Sequence, residues 1–453
     1  MTSMPNIEGP KGGIFGLKNV FDFQKDPFGF LMHAIHDFPE DIVHWKFGPQ
    51  FDVYLLAHPD YIHELLVKKW SKVVKWERMA SVSSKATGPG TLIVLEDEPW
   101  KQARKMSSPA FHTQRIKNYI DLMVKHTLKL TNKWEDRGVY EMTQQMTEAT
   151  MGIIGEILFN IPDIEKDAAE LSEALFVLLE MFMLETTALM PLPNWVPTRQ
   201  NMKENRAMQY VDDYMMTIIN ERRISGEDQG DVLSALLHVV DEDDGSTFTD
   251  REVRDQLLGL FIAGHETTAI LMTWTLYMLA KHPEIQDDLY EEVATVMHDD
   301  APSLEDLGKL SLTDRVLKET LRLYPPGWSL FVREVAEEMQ LGEHTFPKGA
   351  LFYVSPWVTH HDPRWWSDPR KFDPSRFEGD WKKQQPAYSY FPFGGGPRVC
   401  IGMRMAEMEA NLILATIVKN YKIELSKPNQ VVNAEARFTV HPEGGMNLRV
   451  TKR

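Results

Sequence analysis

The stretch Phe393-Gly-Gly-Gly-Pro-Arg398-Val-Cys400-Ile-Gly402 contains the only cysteine in the chain of 453 residues. A single cysteine cannot form a disulfide within the chain, nor can it supply several thiolates to a zinc site. The three glycines allow the backbone to turn tightly and a flat ligand to approach it closely. From Met403 onward, helix-forming and apolar residues recur at helical spacing, so we expect Cys400 to lie at the start of a helix.

The thiol at this position has several possible roles. An isolated cysteine is most often a small buried hydrophobe. At a helix N-terminus, with Arg398 just before it, the thiolate is favoured over the thiol. A nucleophilic cysteine needs a nearby base, but the segment contains no His or Lys. Its nearest carboxylates, Glu407 and Glu409, lie inside the predicted helix. An axial ligand of heme iron needs only a shaped, desolvated pocket, so this role fits the segment best.

The same stretch resembles the heme-binding loop of the cytochrome P-450 superfamily, Phe-x-x-Gly-x-Arg-x-Cys-x-Gly. Phe393, Gly396, Arg398, Cys400 and Gly402 occupy its fixed positions. The resemblance implies that Cys400 is the axial ligand of the iron in heme b (iron protoporphyrin IX). It also implies that Phe393, Arg398 and Gly402 belong to the cofactor-binding site.

A second pattern, Trp100-Lys-Gln-Ala-Arg104, places its two end residues on one face of a predicted helix. Taken alone, this pattern fits an ordinary amphipathic helix equally well. In the cytochrome P-450 superfamily a similar Trp-x-x-x-Arg pair binds a heme propionate, and the planar Arg fork suits a carboxylate. The resemblance therefore implies that Trp100 and Arg104 bind the cofactor. Arg333 is a further candidate, although the register would also allow Val332 at its position.

A long apolar segment indicates a buried helix. It begins at Thr249-Asp-Arg-Glu252, which has the pattern of a capping box, and continues to about Ala280. Within it, the polar run Gly-His-Glu-Thr-Thr is unusual for a buried helix, and such local inconsistency often marks a functional site.

This polar run is similar to the oxygen-activation motif of the family, Ala-Gly-x-(acid)-Thr. The resemblance implies that Ala263 and Gly264 allow the helix to lie against the heme. It also implies that Thr267 and Glu266 are catalytic, because together they would deliver protons while O2 is activated. Proton delivery requires a donor within hydrogen-bond reach, directly or through one water.

Glu319-Thr-Leu-Arg322 places a carboxylate and a guanidinium one helical turn apart, just before Pro325-Pro326 ends the helix. In isolation this is an ordinary surface pair. Together with the later Pro-x-Arg-Phe element, it is similar to the family's ion triad, which implies a structural role for Glu319, Arg322 and Arg376. The adjacent His360-His361 are not expected to bind a metal.

The chain is expected to form one domain, residues 1–453, without a fused reductase, because no linker or repeat divides it. The resemblance implies a mainly α-helical cytochrome P-450 fold with small peripheral β-sheets. The heme would lie between the oxygen-activation helix and the helix after Cys400. The pattern predicts helices over residues 115–134, 140–158, 167–184, 201–223 and 284–298, and strands over residues 53–56, 91–95, 350–354 and 446–450.

The formal charge of −17, from 66 acidic and 49 basic residues, disfavours nucleic acids and anionic membranes as partners. Basic residues nevertheless cluster around the Trp100 helix. They form either a solvated helix face or a docking surface for an acidic electron carrier. These residues are Lys101, Arg104, Lys105, Arg115, Lys117, Lys125 and Lys129.

We expect no apolar span to reach the roughly 20 residues that cross a bilayer, and the polar N-terminus lacks a signal-peptide core. The sequence therefore resembles a soluble, bacterial-type member of the superfamily that is cytoplasmic, monomeric and without a membrane anchor. Such a member would receive electrons from a ferredoxin, or from a flavodoxin or flavoprotein reductase.

The expected activity is that of a heme-thiolate monooxygenase, which inserts one oxygen atom from O2 into a lipophilic substrate by hydroxylation. The pocket segments of the family correspond to residues 73–95, 176–190, 260–263, 327–331 and 438–439, which are rich in Phe, Leu, Ile and Met. This composition favours a fatty acid or a terpenoid-like molecule. A peroxide-driven peroxygenase, a non-redox rearrangement enzyme and a heme-binding sensor are the alternatives, but such members tend to lose the acid–Thr pair.

Overall fold

The computed structural model of the protein describes residues 4–161, 168–189, 193 and 195–453. The predicted helix start at residue 167 and the predicted pocket residue 190 lie outside these ranges. The fold is mainly α-helical with small sheets, as expected. The α-helices in the described ranges are α1 (Leu17–Lys25), α2 (Pro27–Asp37), α3 (Pro59–His63), α4 (Glu77–Thr87), α5 (Asp97–Ser107), α6 (Thr113–Ile116), α7 (Ile120–Thr131), α8 (Met142–Phe159), α9 (Ala168–Thr187), α10 (Arg199–Ser225), α11 (Val232–His238), α12 (Asp250–Lys281), α13 (Pro283–Val296), α14 (Leu304–Leu307), α15 (Ser311–Leu323), α16 (Pro356–His360), α17 (Trp381–Gln384) and α18 (Met403–Asn420).

Helix α12 is the centre of the fold, and it packs against α8, α15 and α18. The predicted capping box is present at its start, because Glu252 N donates to Thr249 Oγ1 (3.3 Å) and Thr249 N donates to Glu252 Oε2 (2.8 Å). It is also the one helix of the described residues that is long and apolar enough to cross a membrane. Since 78% of its apolar window is buried inside the protein, it is a core helix.

The strands form four small sheets at the edge of the helical body. One sheet has the order β1-β2-β8-β5-β3, a second has β4-β12-β9, and β6-β7 and β10-β11 are two-stranded. The strands are β1 (Ile42–Phe47), β2 (Phe51–Leu56), β3 (Val73–Lys75), β4 (Val139–Glu141), β5 (Arg333–Val335), β6 (Met339–Leu341), β7 (His344–Phe346), β8 (Leu351–Tyr353), β9 (Tyr421–Leu425), β10 (Ala434–Ala436), β11 (Val440–Pro442) and β12 (Asn447–Lys452).

One predicted strand is wrong. Residues 91–95 form a turn, in which the amides of Val94 and Leu95 both donate to the Thr91 carbonyl (2.9 Å each). The segment lies across α12 instead of joining a sheet, because Leu92 N donates to the Gln256 side chain (3.3 Å). A Cβ on Gly259 would lie 2.4 Å from Thr91 Oγ1, so this glycine permits the close crossing.

Candidate active site

The cysteine loop has the geometry that its glycines predict. Cys400 N donates to the Phe393 carbonyl (3.0 Å), which closes the loop. Gly394 and Gly396 have φ values of +72° and +64°, in the left-handed region. A Cβ on Gly396 would lie 1.9 Å from the Leu66 carbonyl oxygen, so a larger residue would clash there. The loop ends at Gly402, the N-cap residue of α18.

Cys400 is exposed, although protein surrounds the residue. Its side chain therefore borders an internal space. Burial raises the pKa of its thiol. The amides of Gly402 and Met403 and the charge of Arg104 lower that pKa but do not outweigh burial. The helix N-terminus thus favours the thiolate in the expected direction, but burial opposes it more strongly. A bound metal cation would supply the missing positive charge, because a coordinating thiol is deprotonated.

Arg398 does not point at the sulfur as the sequence had suggested. Its guanidinium donates to the Leu95 carbonyl (2.8 Å) and pairs with Glu96. Lys75 reaches the same two groups, the Leu95 carbonyl at 2.9 Å and Glu96 at 3.0 Å. The pKa of Lys75 is lowered to about 7, mainly by burial and also by the charges of Arg398 and Arg333, although Glu96 opposes this shift.

Basic side chains outnumber acidic ones around the Leu95 carbonyl and Glu96. The β3–β5 register places Lys75 opposite Arg333, and burial lowers the pKa of the Arg333 guanidinium. Neither Arg333 nor Arg104 makes a side-chain hydrogen bond or an ion pair with any residue in the described ranges. Arg398, Arg333 and the partly charged Lys75 thus gather around the carboxylate of Glu96, and a ligand that carries carboxylates fits these basic groups. The heme propionates have that chemistry, so the donor set fits the cofactor.

Trp100 lies buried beneath this cluster, with the Arg398 guanidinium 4.0 Å from its ring centroid. Its neighbour on the helix face, Arg104, acts on the Cys400 thiol. Phe393 is half-buried and packs against the main core. The structure therefore places the predicted cofactor residues of α5 next to those of the cysteine loop, Trp100 against Arg398 and Arg104 near Cys400. Lys75 and Arg333 belong to the same group, and the sequence interpretation missed Lys75.

The face of α12 that carries Ala263 borders open space. Ala263 is exposed although it lies in the middle of the core helix, and with Thr267 it lines a cavity of about 250 Å³. The Thr267 hydroxyl donates to the Ala263 carbonyl (2.8 Å). Gly264 faces another direction, since its Cβ would lie 2.8 Å from Ile154 Cδ1. Its small size therefore serves the packing of α12 on α8, which differs from the expected approach to the heme.

Glu266 diverges from Thr267. Its carboxylate is buried, and its Oε1 accepts hydrogen bonds from Thr439 Oγ1 (2.9 Å) and lies 2.7 Å from His441 Nε2. The sequence predicted neither partner. Burial raises the pKa of Glu266, but the hydrogen bond and charge of His441, together with the charge of His265 and the hydrogen bond from Thr439, outweigh burial, so the net shift is downward.

The 250 Å³ cavity is largely apolar, and no Asp, Glu, Lys or Arg of the described residues lines it. The predicted pocket segments contribute Trp76, Met79, Phe182, Phe331 and Phe438. The N-terminal part of the wall was not predicted. A usable signal was the alternation of large apolar residues in β1 and β2, which puts every second side chain on one face. These additional wall residues include Phe23, Trp45, Phe47, Phe51 and Val53.

The predicted ion triad comes together in the core. Glu319 and Arg322 are fully buried, and two hydrogen bonds of 2.7 and 2.8 Å join them. Arg376 Nε lies 3.4 Å from Glu319 Oε1. His360 connects this cluster to the cysteine loop, because its carbonyl accepts from Arg322 (2.9 Å) and its Nε2 accepts from Phe391 N (3.0 Å). No cluster of three or more metal-ligating His, Cys, Asp or Glu occurs among the described residues.

Several lysines of the predicted docking surface are paired with carboxylates. Lys101 pairs with Glu98 (2.6 Å), and Lys125 pairs with Glu156 (2.8 Å). Lys105 lies 2.7 Å from Asp241. These contacts reduce the positive charge that the surface presents. A solvated helix face therefore explains these three lysines at least as well as a docking surface does.

The family assignment follows from comparison with known proteins. The sequence model of the cytochrome P-450 family matches residues 8–448. The chain therefore belongs to the cytochrome P-450 family, and it is an oxidoreductase of the monooxygenase class with heme as its cofactor.

Three of the similar proteins come from Streptomyces. Cyclooctatin synthase of Streptomyces melanosporofaciens is 32% identical over 84% of this chain and 83% of its own length. Cyclooctat-9-en-7-ol 5-monooxygenase of the same organism is 31% identical, over 84% of this chain and 82% of its own. Pentalenene oxygenase of Streptomyces avermitilis is 29% identical over 91% and 90%.

Proposed function

We propose that this monooxygenase hydroxylates a compact, terpenoid-like substrate. The observation that carries the proposal is the cavity beside Ala263 and Thr267, whose wall is aromatic and aliphatic and holds no charged side chain among the described residues. A fatty acid would bring a carboxylate that this wall does not pair. The volume of about 250 Å³ is slightly smaller than the roughly 300–1,000 Å³ that is usual for ligand cavities. The cavity therefore suits a compact molecule.

The names of the relatives support the same substrate class. Pentalenene and cyclooctat-9-en-7-ol are the molecules that two of these names mention. Few hydroxyl side chains of the described residues line the cavity, namely Thr186, Thr187, Thr267, Ser329, Tyr353 and Thr439. These hydroxyls would orient a substrate that carries one or two oxygen functions, while the aromatic wall excludes water from the reacting carbon.

The cofactor in this proposal is heme b, with Cys400 as the axial ligand. Its propionates would be bound by Trp100, Arg104 and Arg398, and Lys75 and Arg333 would add positive charge. Phe393 and Gly402 would frame the loop that holds the cofactor, and the small side chain of Ala263 would leave space for it beside α12. When bound, the heme supplies the reductive activation of O2.

The side chains of α12 would handle protons in this reaction. The Thr267 hydroxyl lies at the cavity wall, where it is able to exchange its bond to the Ala263 carbonyl for one to a water molecule. Glu266 holds a carboxylate next to Thr439, whose hydroxyl also lines the cavity. Glu319, Arg322 and Arg376 have a structural role, because they fix the segment that precedes the cysteine loop.

We further propose that the chain acts as one monomeric, cytoplasmic heme domain. The main hydrophobic cluster supports one domain, since it includes residues from Phe23 to Val450. Electrons would come from a separate ferredoxin, or from a flavodoxin or flavoprotein reductase.

Substrate binding is the direct test. A cyclic terpene hydrocarbon, a cyclic terpene alcohol and a fatty acid of similar carbon number are titrated into the heme-loaded protein, and the spin-state change of the heme is recorded. We expect the terpenes to bind at least tenfold more tightly than the fatty acid. Ala263→Leu should abolish this binding because it fills the cavity face, whereas Ala294→Leu on helix α13 should leave it unchanged.

Turnover then separates the reaction classes. We expect a hydroxylated product when a surrogate ferredoxin system and O2 are supplied. A product with hydrogen peroxide but not with the reductase would indicate a peroxygenase. Isomerisation of the substrate without reductant would indicate a rearrangement enzyme. Spectral binding with no product in any arm would indicate a heme-binding sensor.

A further inference from the structure

The carboxylate of Glu266 lies between two separate spaces. On one side is a cleft of about 640 Å³, which Glu266, His265 and His441 help to line. On the other side is the substrate cavity, whose wall includes Thr267 and Thr439. The His441 side chain is 15% exposed and that of Glu266 is 11% exposed. Solvent therefore reaches His441 through the cleft.

Hydrogen bonds connect the two spaces through a single carboxylate oxygen. His441 Nε2 lies 2.7 Å from Glu266 Oε1, and Thr439 Oγ1 donates to the same oxygen at 2.9 Å. Thr439 directly precedes β11 and His441 lies within it, and both side chains reach the same oxygen of Glu266. The Val440 carbonyl between them accepts from Trp274 Nε1 (2.6 Å), which fixes the strand to α12.

The other charged groups around the cleft already have partners. On α12, the His265 Nδ1 lies 2.9 Å from the Phe261 carbonyl, and burial lowers the pKa of this imidazole. Glu141 accepts from the amides at the start of α8. The remaining pairs are Arg437 with Glu435 (2.8 Å) and Glu148 with Lys133. Within the described ranges, His441 is the ionisable group that forms an ion pair with Glu266.

We propose that His441 is a positioning residue that passes protons from the cleft to Glu266, a role that rests on the proposed function. The imidazolium gives its Nε2 proton to Glu266 Oε1, which leaves a neutral imidazole and a neutral carboxylic acid. His441 regains a proton from water in the cleft. Glu266 releases its proton through the Thr439 hydroxyl into the cavity and becomes a carboxylate again. No electron moves in these steps.

His441→Gln tests proton transfer apart from structure. The Gln side chain retains an N–H donor for Glu266 but cannot exchange a proton at neutral pH. His441→Ala removes the donor as well. His44→Gln is the matched control, because His44 Nε2 lies 2.9 Å from Asp52 in a pair remote from the cleft. All variants are studied as full-length, heme-loaded proteins with the reductase system and a substrate that the wild type oxidises.

In both His441 variants we expect product per electron consumed to fall by at least about tenfold, with the missing electrons recovered as hydrogen peroxide, since general acid–base groups contribute roughly 100-fold or more. The pH profile of this yield should also differ between the wild type and both variants, because only the wild type has a group at this position that accepts and releases a proton. His44→Gln should match the wild type.

A second readout needs no turnover. The infrared carboxylate band of Glu266, assigned with Glu266→Gln, is titrated in substrate-free protein. In His441→Ala the band should disappear at a higher pH than in the wild type, because the partner that lowers the Glu266 pKa is gone. An unchanged titration would overturn the inference. Wild-type yield and pH profile in His441→Gln would also overturn it, since a hydrogen-bond donor would then suffice.

These outcomes separate the inference from the proposed function. If the wild type oxidises no terpene, the proposed function fails, while the infrared titration still decides whether His441 controls the proton on Glu266. If the wild type is active and the His441 variants are equally well coupled, only the relay is refuted.

Discussion

Replacing the carboxyl group of Glu409 by an amide should stabilise the protein at alkaline pH. Glu409 lies on α18 and is 2% exposed, and its Oε1 has no hydrogen-bond partner in the described part of the chain. Burial raises its pKa from 4.5 to about 8, although a hydrogen bond from Thr268 on α12 opposes this shift. The group is therefore a neutral acid at pH 7.

The magnitude follows from the difference between the folded and unfolded pKa values. The folded protein holds the proton more tightly, so this stabilisation is fully present below pH 4.5 and is lost as pH rises toward about 8. At about 1.36 kcal/mol for each pKa unit, the loss is about 5 kcal/mol at pH 9 and about 1 kcal/mol at pH 5. Glu409→Gln, which does not titrate, should escape this loss.

Urea unfolding of the heme-loaded protein at pH 5, 7 and 9 measures the effect. The stability of Glu409→Gln relative to the wild type should rise by about 4 kcal/mol between pH 5 and pH 9. Glu291→Gln, an exposed change on α13, should show no such trend. An equal difference between Glu409→Gln and the wild type at pH 5 and pH 9 would refute the reasoning, because the carboxyl would then not be protonated in the fold.

Three further changes test the site and its support. Gly396→Ala should lower the heme-to-protein ratio because its Cβ has no space, whereas Gly327→Ala, with nothing within 4 Å, should bind heme normally. Arg322→Met should lower the free energy of unfolding in urea by about 3–5 kcal/mol, because it leaves a buried carboxylate unpaired. The more exposed Arg315→Met should lower it by less than about 1 kcal/mol. The pKa of His361 is lowered to about 4, mainly by burial, so the unfolded chain binds a proton more readily than the folded protein does. As pH drops from 6.5 to 4, the free energy of unfolding of the wild type should therefore fall by about 3 kcal/mol more than that of His361→Gln.

The sequence predicted the long helices well because their periodicity is local. Residues 140–158, 201–223 and 284–298 correspond closely to α8, α10 and α13, and the capping box at Thr249 marks the start of α12. Predicted strands at 53–56, 350–354 and 446–450 fall on β2, β8 and β12. Residues 91–95 have strand-like composition, but they contact α12 through Gln256, and tertiary contacts of this kind leave no trace in a local pattern.

The partners in the site were harder to predict than its motifs. Motif spacing identified Cys400, Arg398 and Thr267, because each belongs to a short fixed pattern. Lys75 was missed because only the pairing of β3 with β5 brings it near Arg398. The partner of Glu266 was missed because His441 lies 175 positions away and belongs to no motif.

The central claim, that Cys400 supplies a thiolate to heme iron, is tested most directly by the carbon monoxide difference spectrum of the dithionite-reduced protein. We predict a strongly red-shifted Soret band for the wild type and its loss in Cys400→Ala. A wild-type Soret band at the position typical of histidine or neutral-thiol ligation would contradict the account. A red-shifted band that persisted in Cys400→Ala would do so as well, since the chain contains no other cysteine.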